Sequence, residues 1–362
     1  MIFYAAIGLV LFFLGFLRLL GVIDRSFERP LVLCITVLAF ALSWMRWKTG
    51  TDWELYTAFF HTLTSISVAR SQDWWGPAYA YTAVFVNSIG GGYSEFLFVI
   101  AAALYSSLYY FITRGSAAPL IAVFILFCTN FFSIYFVRQD VAVAFFLGFL
   151  YFYFQNRYVA AVAMAVAAIA AHISAVVPIC LVIFVVNFTW KKFCIGLASA
   201  VCAAYFVFRD LAWATLLKLL PALGYFDSGF VEVKESDLST TSRAYLKLCF
   251  LIVILLVAQF RFQGRTRDSV APDWYDFCRK SAIVILLMTA CFLPLSQIVA
   301  RFTMYAMPLV ALSLSNYEFR FRQISFNSAV YVGFLLMFFV ELDALYNGYA
   351  KLYFPVRTIL TR

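Results

Sequence analysis

Charge is scarce in this sequence, and histidine is scarcer. Only 12% of the 362 residues are Asp, Glu, Lys or Arg, and two are His. A soluble domain carries about 25% charged and 45–50% apolar residues. Here 65% are hydrophobic and the mean hydropathy is +0.91. That balance excludes a soluble domain and predicts a polytopic membrane protein. Backbone polar groups in a bilayer core must be satisfied internally, and long apolar runs do so as helices, so the expected fold is all-α.

Other absences narrow the chemistry. There is no P-loop, no G-x-S-x-G, no H-E-x-x-H and no Asp-x-Asp. Energy for any reaction then has to come from the substrate, and no metal or cofactor is expected. None of the eight cysteines (Cys34, Cys128, Cys180, Cys194, Cys202, Cys249, Cys278 and Cys291) forms a CxxC pair. Most fall in apolar runs and read as small buried residues. The net charge of +9 is dispersed, with no polybasic tail, so nucleic acid is not an expected partner. No 20–50-residue repeat is visible. The N-terminus lacks a basic region and a small-residue cleavage site, so its first 20 residues are expected to stay as a helix.

Apolar runs mark about ten to twelve spans: about 2–20, 30–46 (opened by Pro30), 94–112, 119–135, 138–154, 158–173, 174–189, 193–208, 244–260, 281–295, 299–315 and 326–345. Two long polar connections separate them, 47–92 and 209–243, and residues 346–362 read as an interfacial tail. Under strict alternation Arg25, Arg29, Arg114, Arg157, Lys191, Lys192, Arg261, Arg265, Arg267, Arg320 and Arg322 fall on one side. The positive-inside rule makes that side cytoplasmic. Arg46, Lys48, Arg70, Arg138, Arg243 and Arg301 fall on the other. Both long connections, the first with an interfacial helix, are then periplasmic loops.

The stretch 133–176 is apolar yet carries Arg138, Gln139, Asp140 and His172. An arginine at the centre of a bilayer helix costs about 2.5–3.5 kcal/mol on insertion scales, so such residues sit at helix ends or in polar cavities. Gln155-Asn156-Arg157 divides the stretch. The flanking runs span roughly 25 Å and 22 Å at 1.5 Å per residue, each near the hydrocarbon thickness. A short turn makes them antiparallel neighbours and puts Arg138 and His172 at one membrane face. The same alternation places Asp52 and Arg301 on that face.

Each residue also has a plain reading. Thr51-Asp52-Trp53-Glu54 fits a helix-capping box, with Trp53, Tyr56, Phe59 and Phe60 on an interfacial aromatic face. Arg138 alone would snorkel to headgroups. His172 could be a structural histidine bonded to a carbonyl, and His61 is read as structural. Two arginines from different helices at one face, however, suit an anion with several oxygens, and a diphosphate is the obvious candidate. Asp140 could pair with Arg138 or a neighbouring arginine.

Gly50-Thr51-Asp52 with Tyr56, Val137-Arg138-Gln139 opening a helix, Ala171-His172-Ile173-Ser174, and Arg301 with Tyr305 together resemble the EpsG-like, Wzy-related family of bacterial polysaccharide polymerases over about residues 46–310. The resemblance implies a GT-C-like helical fold and a metal-independent glycosyltransferase of the inner membrane. Its substrate would be a polyprenyl-diphosphate-linked (undecaprenyl) glycan, polymerised on the periplasmic face into O-antigen, capsule or exopolysaccharide. Membrane lipid, a chain-length regulator and a flippase would be partners. Arg138 and Arg301, with Gln139, Tyr305 and Tyr56, would bind the donor, and Asp52 or His172 would orient or deprotonate the attacking hydroxyl. Two other classes compete. A transporter or flippase would trap unpolymerised units on the cytoplasmic side when lost; a ligase or acyltransferase would leave polymer length unchanged.

Overall fold

The computed structural model of the protein describes residues 2–50, 53–71, 76–130, 137–186, 238–261, 272–291, 296–315 and 324–353. The described elements are all helices: α1 (Ile2–Leu19), α2 (Arg25–Trp44), α3 (Trp53–Thr62), α4 (Ile66–Ser71), α5 (Pro77–Ser88), α6 (Tyr93–Gly115), α7 (Pro119–Asn130), α8 (Arg138–Phe154), α9 (Tyr158–Ala171), α10 (Val176–Val186), α11 (Leu238–Arg261), α12 (Pro272–Cys291), α13 (Ser296–Ser315) and α14 (Ile324–Tyr353), with one 3-10 turn at Ile173–Ala175. Four are long and apolar enough to cross a membrane: α1, Ser26–Trp44 of α2, α6, and Ala329–Asn347 of α14. Of the shorter apolar helices, α7 packs against all four, and α9 packs against α8 and α5. The chain is an all-α polytopic membrane protein.

Helix α13 is the axis. From Phe302 to Ser315 every residue is buried, with α12 and α7 its main neighbours and α6, α8 and α11 completing the ring. α1 and α14 lie outside α7. Gly15 of α1 lets the Tyr331 ring of α14 come close, since a Cβ there would overlap its hydroxyl, and that hydroxyl donates to the Phe12 carbonyl at 3.1 Å.

Polar contacts close one end of the bundle. Glu28 of α2 is 2% exposed; its Oε1 accepts the Leu120 amide at 3.0 Å and its Oε2 accepts Arg18 Nε at 2.9 Å. One carboxylate thus caps the N-terminus of α7, where its charge complements the helix dipole, and answers the last-turn arginine of α1. Trp274 donates to the Gly115 carbonyl at 3.2 Å, and the Ser116 and Ser315 hydroxyls meet at 2.8 Å. At the other end of α7, between α11 and α14, Lys247 pairs with Glu341 and donates to the Thr129 carbonyl.

Several boundaries differ from the hydropathy reading. α2 starts at Arg25 rather than Pro30, which lies inside the helix. Extending α2 backwards is what carries Glu28 to its two partners. α12 starts at Pro272 rather than near 281. Pro at the first position suits a helix start, and the Asp276–Lys280 pair at 2.6 Å, one turn apart, accommodates the charged residues. The 47–92 connection holds three helices, α3 to α5, and α14 runs on to Tyr353 through part of the expected tail. Cys34, Cys180 and Cys249 are exposed on helix faces, and Cys128 and Cys278 are buried. The expected span 193–208 and most of 209–243 lie outside the described residues.

Replacing Glu28 by Ala leaves Arg18 without its counter-charge and the Leu120 amide without its acceptor, a loss of about 3 kcal/mol or more. Glu28→Gln keeps an acceptor for Leu120. Thermal unfolding of purified protein is expected to fall by several degrees for Glu28→Ala and by about half as much for Glu28→Gln. Equal shifts would show that the amide cap contributes nothing.

Candidate functional site

The site forms at the opposite end, where α8 begins and α9 ends. The two helices are an antiparallel hairpin, 17 and 14 residues long. Asn156 makes the turn with φ +59°, a left-handed conformation that Asn tolerates better than most residues, and its Oδ1 accepts the Tyr158 hydroxyl at 2.9 Å. Gly148 admits Met164 between the helices. With both helices ending together, Arg138 and His172 come to the same end, as the spacing predicts.

His172 stands in the joint between α9 and the 3-10 turn, outside both, with extended backbone (φ −157°, ψ 122°). Its Nδ1 accepts the Ser174 amide at 3.2 Å. The neutral ring therefore carries its proton on Nε2, which can donate but not accept. The imidazole is 5% exposed. Burial, then the charges of Arg138 and Arg301, push it down to about 3, so it stays neutral at physiological pH.

Gln139 ties the helices together. It is 3% exposed; its Nε2 donates to the Arg301 carbonyl at 2.8 Å and reaches the Ser174 hydroxyl at 3.4 Å. The Ser174 hydroxyl meets the Tyr305 hydroxyl at 3.2 Å. Arg301 and Tyr305 are one turn apart on α13 and share a face. Tyr305 is fully buried, edge-on to Phe146 at 5.2 Å. The two guanidinium groups are half-buried.

The third wall comes from the connection between α2 and α6. The Tyr56 ring of α3 and the Tyr79 ring of α5 lie 5.7 Å apart, and Arg138 is close enough for its charge to act on Tyr79. Asn87 Nδ2 donates to the Phe60 and Leu63 carbonyls, both at 2.9 Å, which holds α5 against the end of α3. Gly76, φ +81°, sits where a Cβ would lie 2.8 Å from the Ala171 carbonyl oxygen and 3.0 Å from that of Ala170. Both the conformation and the approach require glycine. The α3–α5 unit is thereby docked on the last turn of α9, beside His172.

Of the sequence-predicted residues, Arg138, Gln139, His172, Arg301 and Tyr305 come together, and Tyr56 joins them through Tyr79. Asp52, with Thr51 of the proposed capping box, lies outside the described residues. His61 is exposed, edge-on to Phe60. Asp140 is 1% exposed, and its Oδ1 has no hydrogen-bond partner among the described residues. Gly76, Tyr79 and Ser174 were not anticipated as site residues. Ser174 sits within the Ala171–Ser174 motif, but nothing local in sequence marks Gly76 or Tyr79. Among the described residues no three His, Cys, Asp or Glu side chains gather as metal ligands.

The arrangement brings two guanidinium forks and an Nε2–H donor to one end of the bundle, a set suited to an oxygen-rich anion with a polar group beside it. Comparison with curated proteins and with solved structures found no match. The profile of the EpsG family matches residues 30–356, which takes in every residue of the site. The chain therefore belongs to the EpsG family and is a polysaccharide polymerase-like membrane protein.

Proposed function

We propose that this protein is a glycosyltransferase that joins lipid-diphosphate-linked oligosaccharide units into a surface polysaccharide on the periplasmic face of the inner membrane. The observation that carries the reading is the mounting of Arg138 and Arg301, from different helices, at the one end of the bundle where His172 is buried, with Gln139 next to Arg138 bonded to the Arg301 carbonyl. Guanidinium groups keep their charge and offer donor forks that match phosphate oxygens. A diphosphate fits those forks, and its departure as a leaving group is what such donors stabilise. The donor's own glycosyl–phosphate bond supplies the driving force, so no nucleotide or metal is required.

The roles divide by chemistry. Arg138 and Arg301 grip the diphosphate and offset the charge that grows as the sugar leaves. Gln139 holds Arg301's backbone relative to Arg138. His172, with Nδ1 already accepting a backbone amide, works as an Nε2–H donor that orients a substrate oxygen rather than as the base. The base is then Asp52, the remaining candidate, which removes the proton of the attacking hydroxyl. Tyr56 presents its ring to sugars, backed by the buried Tyr79, and Tyr305 holds Ser174 from behind.

Loss of one donor to developing charge typically lowers rate by about 10²–10³. Arg138→Ala and Arg301→Ala are each expected to abolish long polymer in cells while single-unit glycan still appears. Arg138→Lys should retain partial chain extension, because an ammonium keeps the charge but not the fork. Normal chain lengths in a stably expressed Arg138→Ala variant would refute the reading. Unpolymerised units trapped on the cytoplasmic side would instead mark a flippase, and normal polymer that fails to reach its carrier a ligase.

His172→Gln and His172→Ala separate donor from base. A donor role predicts that Gln keeps polymerisation within about tenfold of wild type while Ala loses about a hundredfold. Equal, complete loss in both would make His172 the base and Asp52 dispensable, which Asp52→Asn tests in the same assay.

A further inference from the structure

Between Gly76 and Tyr93 the chain has no Asp, Glu, Lys or Arg, so α5 carries no charge. One face of α5, with Tyr79, Ala80, Ala83 and Val86, is buried against its neighbours. The opposite face presents Tyr81, Phe85 and Ile89, each one turn from the next, at 43%, 59% and 67% exposure. The helix's other polar side chains do not offset this stripe. Thr82 Oγ1 donates to the Ala78 carbonyl and Ser88 Oγ to the Phe85 carbonyl, both at 2.7 Å. Asn87 is bonded to the end of α3. A helix that is apolar all round, with its small hydroxyls turned back on its own backbone, is suited to hydrocarbon rather than water.

The rest of the unit differs. α3 exposes Glu54, His61 and Thr62 around Leu55, and α4 exposes Ser67 and Arg70 beside Ile66. The unit that forms the third wall of the site therefore has a polar side and an apolar side. α5 packs against α9, which exposes Val159, Val162 and Val166 along its length and Ile173 just past its end. The two helices meet at the Gly76 contact with the Ala170 and Ala171 carbonyls, one residue from His172.

We propose that α5 is the lipid-side wall of the site, and that a ligand gripped by Arg138 and Arg301 runs its hydrocarbon chain out past the junction of α5 and α9, with α3 and α4 on the water side. Cations at one helix end, bounded by an apolar helix, match an anion that carries a tail: the head is bound while the tail stays in lipid and never crosses water. The seating of α5 stands on exposure and bonding alone. The path of the tail rests on the reading that the site takes a lipid-linked diphosphate.

Full-length protein in nanodiscs of phosphatidylethanolamine and phosphatidylglycerol can be exposed to hydroxyl radicals and read by mass spectrometry. Normalised for side-chain reactivity, Tyr81 and Phe85 should be oxidised about tenfold less than the exposed His61 of α3. In the same nanodiscs, farnesyl diphosphate bearing a diazirine at the far end of its chain should mark residues 77–89 and 158–173 on photolysis and spare 53–62. Arg138→Ala and excess inorganic diphosphate should each lower that labelling by about tenfold. The competition with diphosphate needs no variant and serves if Arg138→Ala does not accumulate.

Oxidation of Tyr81 and Phe85 as ready as that of His61 would overturn the proposal. Label on α3, or label that persists in both the variant and the competition, would overturn it too, since a chain free in the bilayer marks lipid-facing helices alike. Labelling as expected with normal polymer in Arg138→Ala would remove the polymerase reading and leave the lipid-side wall and its tailed anion standing.

Discussion

Two guanidinium groups carried by different helices can serve one ligand only if the framework fixes where each is mounted. Gln139 is the central restraint. Its amide binds the backbone of Arg301 rather than either guanidinium, so it fixes where the second charge is mounted without neutralising it. The Ser174–Tyr305 contact repeats the strategy from the α9 side. Polar groups here are spent on holding backbone in place, which leaves charge and donors to face a ligand.

The opposite end of the bundle treats charge differently. There Glu28 is placed between Arg18 and the start of α7, so a carboxylate, a guanidinium and a helix terminus answer each other within the protein. At the other end of α7, Lys247 pairs with Glu341 between α11 and α14 and takes the Thr129 carbonyl. These contacts seal both ends of α7.

Helix breaks build the site as much as helices do. The hairpin turn at Asn156 brings Arg138 level with His172, and the break after Ala171 turns His172 out of the helix so that its Nδ1 can take the Ser174 amide. Gly76 then lets the α3–α5 unit close against the carbonyls that the break leaves at the end of α9. Each step uses backbone groups that a continuous helix would have consumed internally.

Much of this was legible in one dimension. The composition determined an all-α membrane protein, because an apolar chain in a bilayer has to satisfy its backbone locally. The polar break after Phe154 and the length of the flanking apolar runs determined the hairpin, and α8 begins and ends where the pattern places it. Arg138, His172 and Arg301 could be read as one group because span length converts residue number into depth. Depth, however, says nothing about rotation. Only the tertiary structure decided that Gln139 takes the Arg301 carbonyl, that Gly76 seats the α3–α5 unit on the end of α9, and that α2 begins early enough for Glu28 to reach α7. Those outcomes depend on which faces of distant helices meet, and burial energy settles that for the whole bundle at once, where no local run of residues records it.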